Sequence, residues 1–459
     1  MLDSFNYKLN MNEPFPSELQ EKYWLVAADM GYGHQRAIYP LKSLAKDHII
    51  LNANTLTDSS AKEKRLWKEM LIAYEFMSRA GKIPLIGSVI NKLLDSLLYI
   101  PNFYPLKDRS NSTLQVRYLK LSIQKGLCKG VVEHIQKSEL PLITSFYSPA
   151  IAAEMADHKK IYCIICDTDV NRVWASENAS ESHIIYFASG SVSAQRLHSY
   201  GVPENNILLT GFPLPFELLG NRNLNILKIN LNRRLKNLDP DNNFYNLYRH
   251  STNAILKYDE FIEENMQTTA IPITITYAVG GAGAQKEIGK QILVSLIEKL
   301  KVNQVKLNLV AGTRIELRDY FANVKEEMAD NLENVQIIWA EDNESYFDLF
   351  NKCLQTTDVL WTKPSELSFF CALGIPIIMT PAIGPLEKCN RRWLREIGAG
   401  FKQQNPELTD QWLFDLLRKG RLAEAAWNGF LKARKYGTYN ILDFLEKGTF
   451  TSSNDPLKR

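Results

Sequence analysis

The sequence predicts an α/β chain of two β/α domains, each built on a parallel sheet and facing the other across a cleft. Three observations predict it. At 459 residues the chain exceeds the usual size of one domain. Short apolar runs alternate with stretches of helical spacing, as parallel strands joined by crossover helices require. A polar, Asn-rich stretch over 221–270 then divides two such series.

Composition narrows the classes. A chain that is 45% hydrophobic and 23% charged has ample apolar material for a core. A net charge of +3 with no interleaved basic and aromatic tract argues against a nucleic-acid partner. The opening residues lack a signal-peptide pattern, and no apolar run approaches the roughly 20 residues that cross a bilayer. The expectation is a cytoplasmic enzyme or binding protein. Cys163 and Cys166 sit in one apolar strand-like run, where alternation aims them at opposite faces, so buried free thiols are expected there.

The first domain is read over 1–220. An apolar run over 23–28 ends at Asp29-Met30-Gly31-Tyr32-Gly33-His34, after which Ala37, Leu41, Leu44 and Ala45 fall at helical spacing. Further strands are expected near 142–144, 161–165, 183–188 and 207–210. A helical insert over 55–130 interrupts the series. Leu66, Met70, Tyr74 and Met77 form one stripe, and Val89, Leu93, Leu94, Leu97 and Leu98 another, with Lys107, Arg109, Arg117, Lys120, Lys125 and Lys129 following. The insert reads either as a subdomain packed on the sheet or as an acceptor-binding or membrane-surface element. Residues 221–270 read as a hinge with linking helices. The second domain spans 271–425, with strands near 273–277, 306–310, 335–339, 359–361 and 377–379. Residues 426–459 read as a terminal helix crossing back, with a frayed tail.

Several residues stand where β/α sheets carry chemistry. Gly31 and Gly33, between a strand and a helix, gather backbone N–H groups at one point, which suits an anion. A third glycine, as a dinucleotide fingerprint needs, is replaced by Arg36-Ala37. His34 at a helix start is expected to stay neutral and accept a proton, or else to cap the helix. Asp167 and Asp169 follow a buried strand; Asp167 reads as a base or as an orienter of His34, and Arg172 as a binder of an acidic group. Plain loop carboxylates are the alternative. In the second domain Gly280, Gly281 and Gly283 allow close approach of a diphosphate. Ser365 reads as the N-cap of a helix with Glu366 in its first turn, and Thr362 and Lys363 add donors.

The stretch from Thr362-Lys363-Pro364-Ser365-Glu366 through Gly374-Ile375-Pro376 to Gly384-Pro385-Leu386-Glu387 and Asn390 resembles the donor half of the B-type glycosyltransferases. The group is that of the monogalactosyldiacylglycerol synthases and the lipid-linked N-acetylglucosaminyl transferase of peptidoglycan synthesis. Gly31-Tyr32-Gly33-His34 is similar to their Gly-Gly-Gly-His loop, and Asp167 to Trp174 to their Thr-Asp…His…Trp segment. The resemblance implies the GT-B fold of two Rossmann-like domains and an inverting glycosyltransferase with a nucleotide-diphosphate sugar, a uridine one above all, as donor. It implies no resident cofactor and no bound metal. The acceptor stays open, with lipid and polyprenyl carriers among the candidates and peripheral contact with the inner membrane face compatible.

By resemblance His34 and Asp167 are catalytic. Gly280, Gly281, Gly283, Gly312, Thr362, Lys363, Ser365, Glu366, Glu387 and Asn390 bind donor, with helix capping the alternative for Asn390. Gly31, Gly33, Asp169, Asn171 and Arg172 line the acceptor side. Three positions depart from the family pattern. Asn171 replaces a histidine, Phe369 a ribose-binding glutamate (Glu366 lies one turn earlier), and Leu386 a glutamine. They support one rival, a non-catalytic nucleotide-sugar-binding or scaffold protein; a second rival, a sugar-nucleotide 2-epimerase, shares the architecture and would use Asp167, Asp169 and Glu387.

Overall fold

A computed structural model describes residues 16–56, 59–80, 100–264, 271–278, 283, 285–328, 332–382, 385–451, 453, 455 and 459, without side chains over 71–80. Among the described residues twelve strands make two sheets. The first contains β1 (Tyr23–Ala27), β2 (Ala45–Asn52), β3 (Leu142–Thr144), β4 (Ile161–Ile164), β5 (Ile185–Phe187) and β6 (Ile207–Leu208). Their order is β2-β1-β3-β4-β5-β6, and every pair is parallel. The second contains β7 (Ile273–Ala278), β8 (Val305–Gly312), β9 (Val335–Trp339), β10 (Val359–Thr362), β11 (Ile377–Met379) and β12 (Gly400–Lys402). It is also all-parallel, in the order β12-β11-β10-β7-β8-β9. These are two Rossmann-like domains, as the sequence predicts.

Parallel strands buried on both faces read as continuous apolar runs, and alternation sorts their side chains. Trp24 and Val26 of β1 enter the core on one face, and Tyr23, Leu25 and Ala27 that on the other. Cys163 and Cys166 divide in the same way and are free, buried thiols.

One expectation fails near the start. The helix after the first glycine loop does not run to Ala45. It ends at Ile38, a 3-10 turn covers Tyr39–Leu44, and β2 begins at Ala45. Pro40 in the first turn of that 3-10 segment has no N–H to continue an α-helical ladder. The insert contains helices Ala61–Ala80, Leu114–Gln124 and Lys129–Ile135. Trp67 from the first and Leu119 from the second are buried in the N-terminal core. Residues 81–99, and with them Val89, Leu93, Leu94, Leu97 and Leu98, lie outside the described residues, as do the side chains of Tyr74 and Met77.

Three helices, Asn225–Leu238, Asn243–Leu256 and Tyr258–Glu264, connect the sheets. Arg234, fully buried, donates to the carbonyls of Thr357, Leu373 and Gly374 and so fastens the first of them to the second domain. The chain finally returns through Gly437–Lys447 to the first domain, where Thr438 Oγ1 donates to Leu214 O at 2.6 Å and Phe444 meets the rings of Tyr162 and Phe187. Much of the tail expected to fray lies outside the described residues.

Candidate active site at the facing switch points

Strand order locates the site. In an open parallel sheet, ligands bind beyond the carboxyl ends of the strands where the winding reverses. That point falls between β1 and β3 in the first sheet and between β7 and β10 in the second. The loops concerned are therefore Gly31-Tyr32-Gly33-His34 and Ser145-Phe146-Tyr147 on one side. On the other are 279–284 and Lys363-Pro364-Ser365-Glu366. Of 279–284 only Gly283 is described, so Gly280 and Gly281 lie outside; Gly283, with φ +64, packs on Leu317.

His34 Nδ1 lies 3.0 Å from Ser145 O. A carbonyl can only accept, so Nδ1 carries the proton and Nε2 is left as the acceptor nitrogen. Burial holds the imidazole near a pKa of about 4 against the raising effect of that hydrogen bond. The neutrality expected of His34 has burial as its cause rather than the helix start. Phe146 and Trp174 wall the ring, at centroid distances of 4.8 and 6.1 Å. Cys166 Sγ lies 3.2 Å from His34 Nδ1 and 3.9 Å from Asp167 Oδ2, so it sits between the two candidate bases. Burial raises the Asp167 carboxyl to about 6; Asn390 and Lys363 oppose the rise and the Glu366 charge adds to it.

The second domain closes on this group. Asn390 Nδ2 donates to Asp167 Oδ1 at 3.3 Å and to Pro364 O at 3.1 Å, while its Oδ1 accepts from Thr168 Oγ1 at 2.6 Å. Asn390 therefore ties a loop of each domain to the other, and, lying inside the helix Pro385–Glu396, it is not a helix cap. Lys363 Nζ lies 3.6 Å from Glu387 Oε1 on the same side.

Other expectations change with the tertiary contacts. Ser365 is not an N-cap. The helix is Leu367–Ala372, and Glu366 precedes it in a left-handed conformation, φ +52, with no side-chain cap. Non-glycine residues pay strain for such a backbone, and it turns the carboxylate toward the first domain. There Arg36 Nε donates to Glu366 Oε1 at 2.8 Å, both side chains being buried or nearly so, and Gly33 leaves room for the glutamate's Cγ. Glu366 is thus engaged across the cleft by Arg36. Phe369 is fully buried, edge-on to Phe212. Thr362 Oγ1 donates to Ala278 O on the neighbouring strand, so its hydroxyl joins two strands. Gly312, with φ +67, faces the Tyr32 hydroxyl so closely that a Cβ would overlap it, and Tyr32 Oη accepts the Thr313 N–H at 3.0 Å.

On the acceptor side Asp169 forms a buried two-point pair with Arg196, both bonds 2.8 Å, and also accepts the Val170 N–H. Arg172 donates to the carbonyls of Ser110, Ala175, Ser176 and Glu177 and so staples its own loop. Asn171 Oδ1 is buried without a partner among the described residues. Gly31, φ +123, has open space around it.

Sequence reasoning missed Tyr32, Arg36 and Ser145 as members of this site. Arg36 had a signal, since it stands where a fingerprint glycine is absent. It is buried, with its guanidinium 4.7 Å from the Phe347 ring, 4.9 Å from Phe350 and 5.2 Å from Phe369. Gln35, Tyr39 and Lys42 extend the contact to Asn343, Asp348 and Glu344.

A family model described as a domain of unknown function (DUF6938) matches residues 313–441, from the end of β8 into the terminal helix. No curated protein matches the chain. Among solved structures the chain is similar to S. aureus MnaA in its co-structure with UDP, at 10% identity over 94% of this chain and 98% of that one, TM-score 0.46. It is similar to the UDP-GlcNAc 2-epimerase from Neisseria meningitidis bound to UDP-GlcNAc, at 12% over 93% and 99%, TM-score 0.44. It is also similar to a glycosyltransferase from Rickettsia africae, at 15% over 93% and 99%, TM-score 0.40. Likenesses of this size assign neither substrate nor reaction, and the narrower likeness to the galactolipid-synthase group rests on the sequence motifs alone.

Proposed function

We propose that the chain is a nucleotide-sugar enzyme, an inverting glycosyltransferase with a uridine-diphosphate sugar as donor. One observation carries the reading: a neutral imidazole with a free Nε2 and a carboxyl held near 6 flank Cys166 at one switch point, facing Lys363 at the other. In this scheme His34 Nε2 takes the proton of an acceptor hydroxyl as its oxygen attacks the anomeric carbon. The bond from that carbon to the diphosphate oxygen breaks, and the diphosphate leaves with the electron pair. Lys363 and the start of the long helix Lys286–Lys301 supply positive potential for it. The helix behind Ser365, only six residues long, is given no such part. Asp167 steadies the charge on His34 or serves as the base.

A second reading, a sugar-nucleotide 2-epimerase, is favoured by Asp167 itself. A carboxyl with a pKa of about 6 is present as both acid and base near neutral pH, which a two-step proton exchange at carbon uses and a single displacement does not. Thermal melting with uridine diphosphate and its sugars tests the shared part: a stabilising shift that Lys363→Glu removes is expected. The absence of any shift with the wild type removes the donor site and favours the binding or scaffold alternative. Product analysis with the sugar nucleotide alone separates the two enzymes, since only an epimerase turns over without acceptor.

A further inference from the structure

We infer that Cys166 is a positioning residue of the reaction, its thiol being the proton-conducting link between His34 and Asp167. Sheet order assembles the three. His34 follows β1, Ser145 follows β3, and Cys166 with Asp167 follows β4, and these strands are consecutive in the first sheet. Among the described residues no hydrogen bond joins His34 to Asp167 directly. The buried thiol stands between them instead, with Sγ 3.2 Å from His34 Nδ1 and 3.9 Å from Asp167 Oδ2.

Donor and acceptor roles fix the direction of the link. The Nδ1 proton points at Ser145 O, 3.0 Å away, and Sγ shares it as a second acceptor. That leaves the S–H to donate to the Asp167 carboxylate. The thiol must stay protonated to do so. Burial and the charges of Asp167 and Glu366 push the Cys166 thiol well above its ordinary range, and Cys163 adds to the rise. Cys166 is therefore a neutral S–H and not a nucleophilic thiolate.

The link answers a difficulty in the acid–base assignment of the proposed function, on which the inference rests. An imidazole held near 4 is a weak base at neutral pH, and a carboxyl near 6 holds a proton about a hundred-fold better. As Nε2 takes the acceptor's proton, the Nδ1–H bond breaks to Sγ and the Sγ–H bond breaks to Asp167 Oδ2. His34 ends neutral with its proton on Nε2, Asp167 ends as the carboxylic acid, and the thiol is unchanged. Asn390 and Lys363, from the second domain, favour the carboxylate before the transfer, and Glu366 opposes it. The sulfur accepts and donates through one atom, which a serine hydroxyl imitates and an alanine methyl does not.

The test is nuclear magnetic resonance of the full chain with 15N-labelled histidine, without nucleotide, His34→Gln identifying the resonance. Expected is a step in the His34 Nδ1 shift centred near pH 6, where Asp167 titrates, separate from the ring's own step near 4. Asp167→Asn removes the step near 6. Cys166→Ala shrinks it at least about two-fold, while Cys166→Ser keeps it, the outcome a merely structural thiol does not give. A second measurement uses the wild type, in case Cys166→Ala does not fold. Its infrared S–H band, identified as the one lost in Cys166→Ser, moves to lower frequency as Asp167 ionises. The inference is overturned if the wild type shows no step near 6 or if the step persists in Asp167→Asn. It is equally overturned if the step is undiminished in Cys166→Ala or lost in Cys166→Ser, or if the S–H band ignores pH. None of these readouts uses a sugar nucleotide, so failure here leaves the donor reading standing. That reading fails separately, when uridine diphosphate and its sugars give no thermal shift.

Discussion

Replacing Asp167 with asparagine isolates the most unusual group in the cleft. The substitution keeps the acceptor oxygen that Asn390 uses at 3.3 Å and removes the titration. Burial lifts the carboxyl from 3.8 to about 6. A shift of two units corresponds to about 3 kcal/mol at 1.36 kcal/mol per unit, an upper figure for a half-buried group. The sign follows from proton counting. Between about pH 4 and pH 6 the folded state holds a proton that the unfolded chain has released, so the Asp167 contribution to stability falls as pH rises through that window. Below the window wild type and Asp167→Asn are expected to be equally stable; above it the variant is the more stable by up to about 3 kcal/mol. Urea unfolding of both proteins across the range measures the difference, and all other titrating groups cancel from it. The neighbours act in opposite senses: Glu366→Gln moves the inflection to lower pH, and Lys363→Met moves it to higher pH. Parallel stability profiles for wild type and Asp167→Asn refute the reasoning, as do shifts of the same sign in the two neighbour variants.

Two further predictions concern the closure of the domains. Arg36→Ala and Glu366→Gln each leave one charge of a buried pair without its partner, so each costs about 3–5 kcal/mol while the double variant costs less than the sum; a double-mutant cycle by urea unfolding measures the coupling, and strict additivity contradicts the pair. Gly312→Ala combines a left-handed backbone with overlap on the Tyr32 hydroxyl, for a loss of about 1–3 kcal/mol. Tyr32→Ala removes the overlap but not the backbone strain, so the double variant is expected to recover part of the loss in thermal melts.

The switch-point loops show how far local pattern reaches. Gly31, Gly33 and His34 were legible because a strand, a glycine loop and a helix start are local events within a dozen residues. Thr362, Lys363 and Glu366 were found for the same reason. Their partners were not legible. The local pattern makes Thr362 a hydrogen-bond donor to a phosphate, yet its hydroxyl meets a carbonyl on the adjacent strand, and adjacency of β10 and β7 is decided by sheet order. Asp169 and Arg196 stand 27 residues apart and Arg36 and Glu366 330 apart, so no local pattern pairs them. Pro40 was a breaker visible in the sequence whose consequence, the early end of the helix and the strand at Ala45, the apolar spacing concealed.

By itself the sequence determined the α/β class, the two series of buried parallel strands and the loops at their carboxyl ends, because apolar periodicity and glycine placement are properties of neighbouring residues. Tertiary structure alone decided which loops meet: the winding order put β1 beside β3 and β7 beside β10, brought Ser145 to His34 and Asn390 to Asp167, and set Tyr32 and Arg36 into the opposite domain. The physical reason is that a side chain's charge state and free hydrogen-bonding capacity depend on what buries it and what it touches, and those contacts are made by residues distant in the chain.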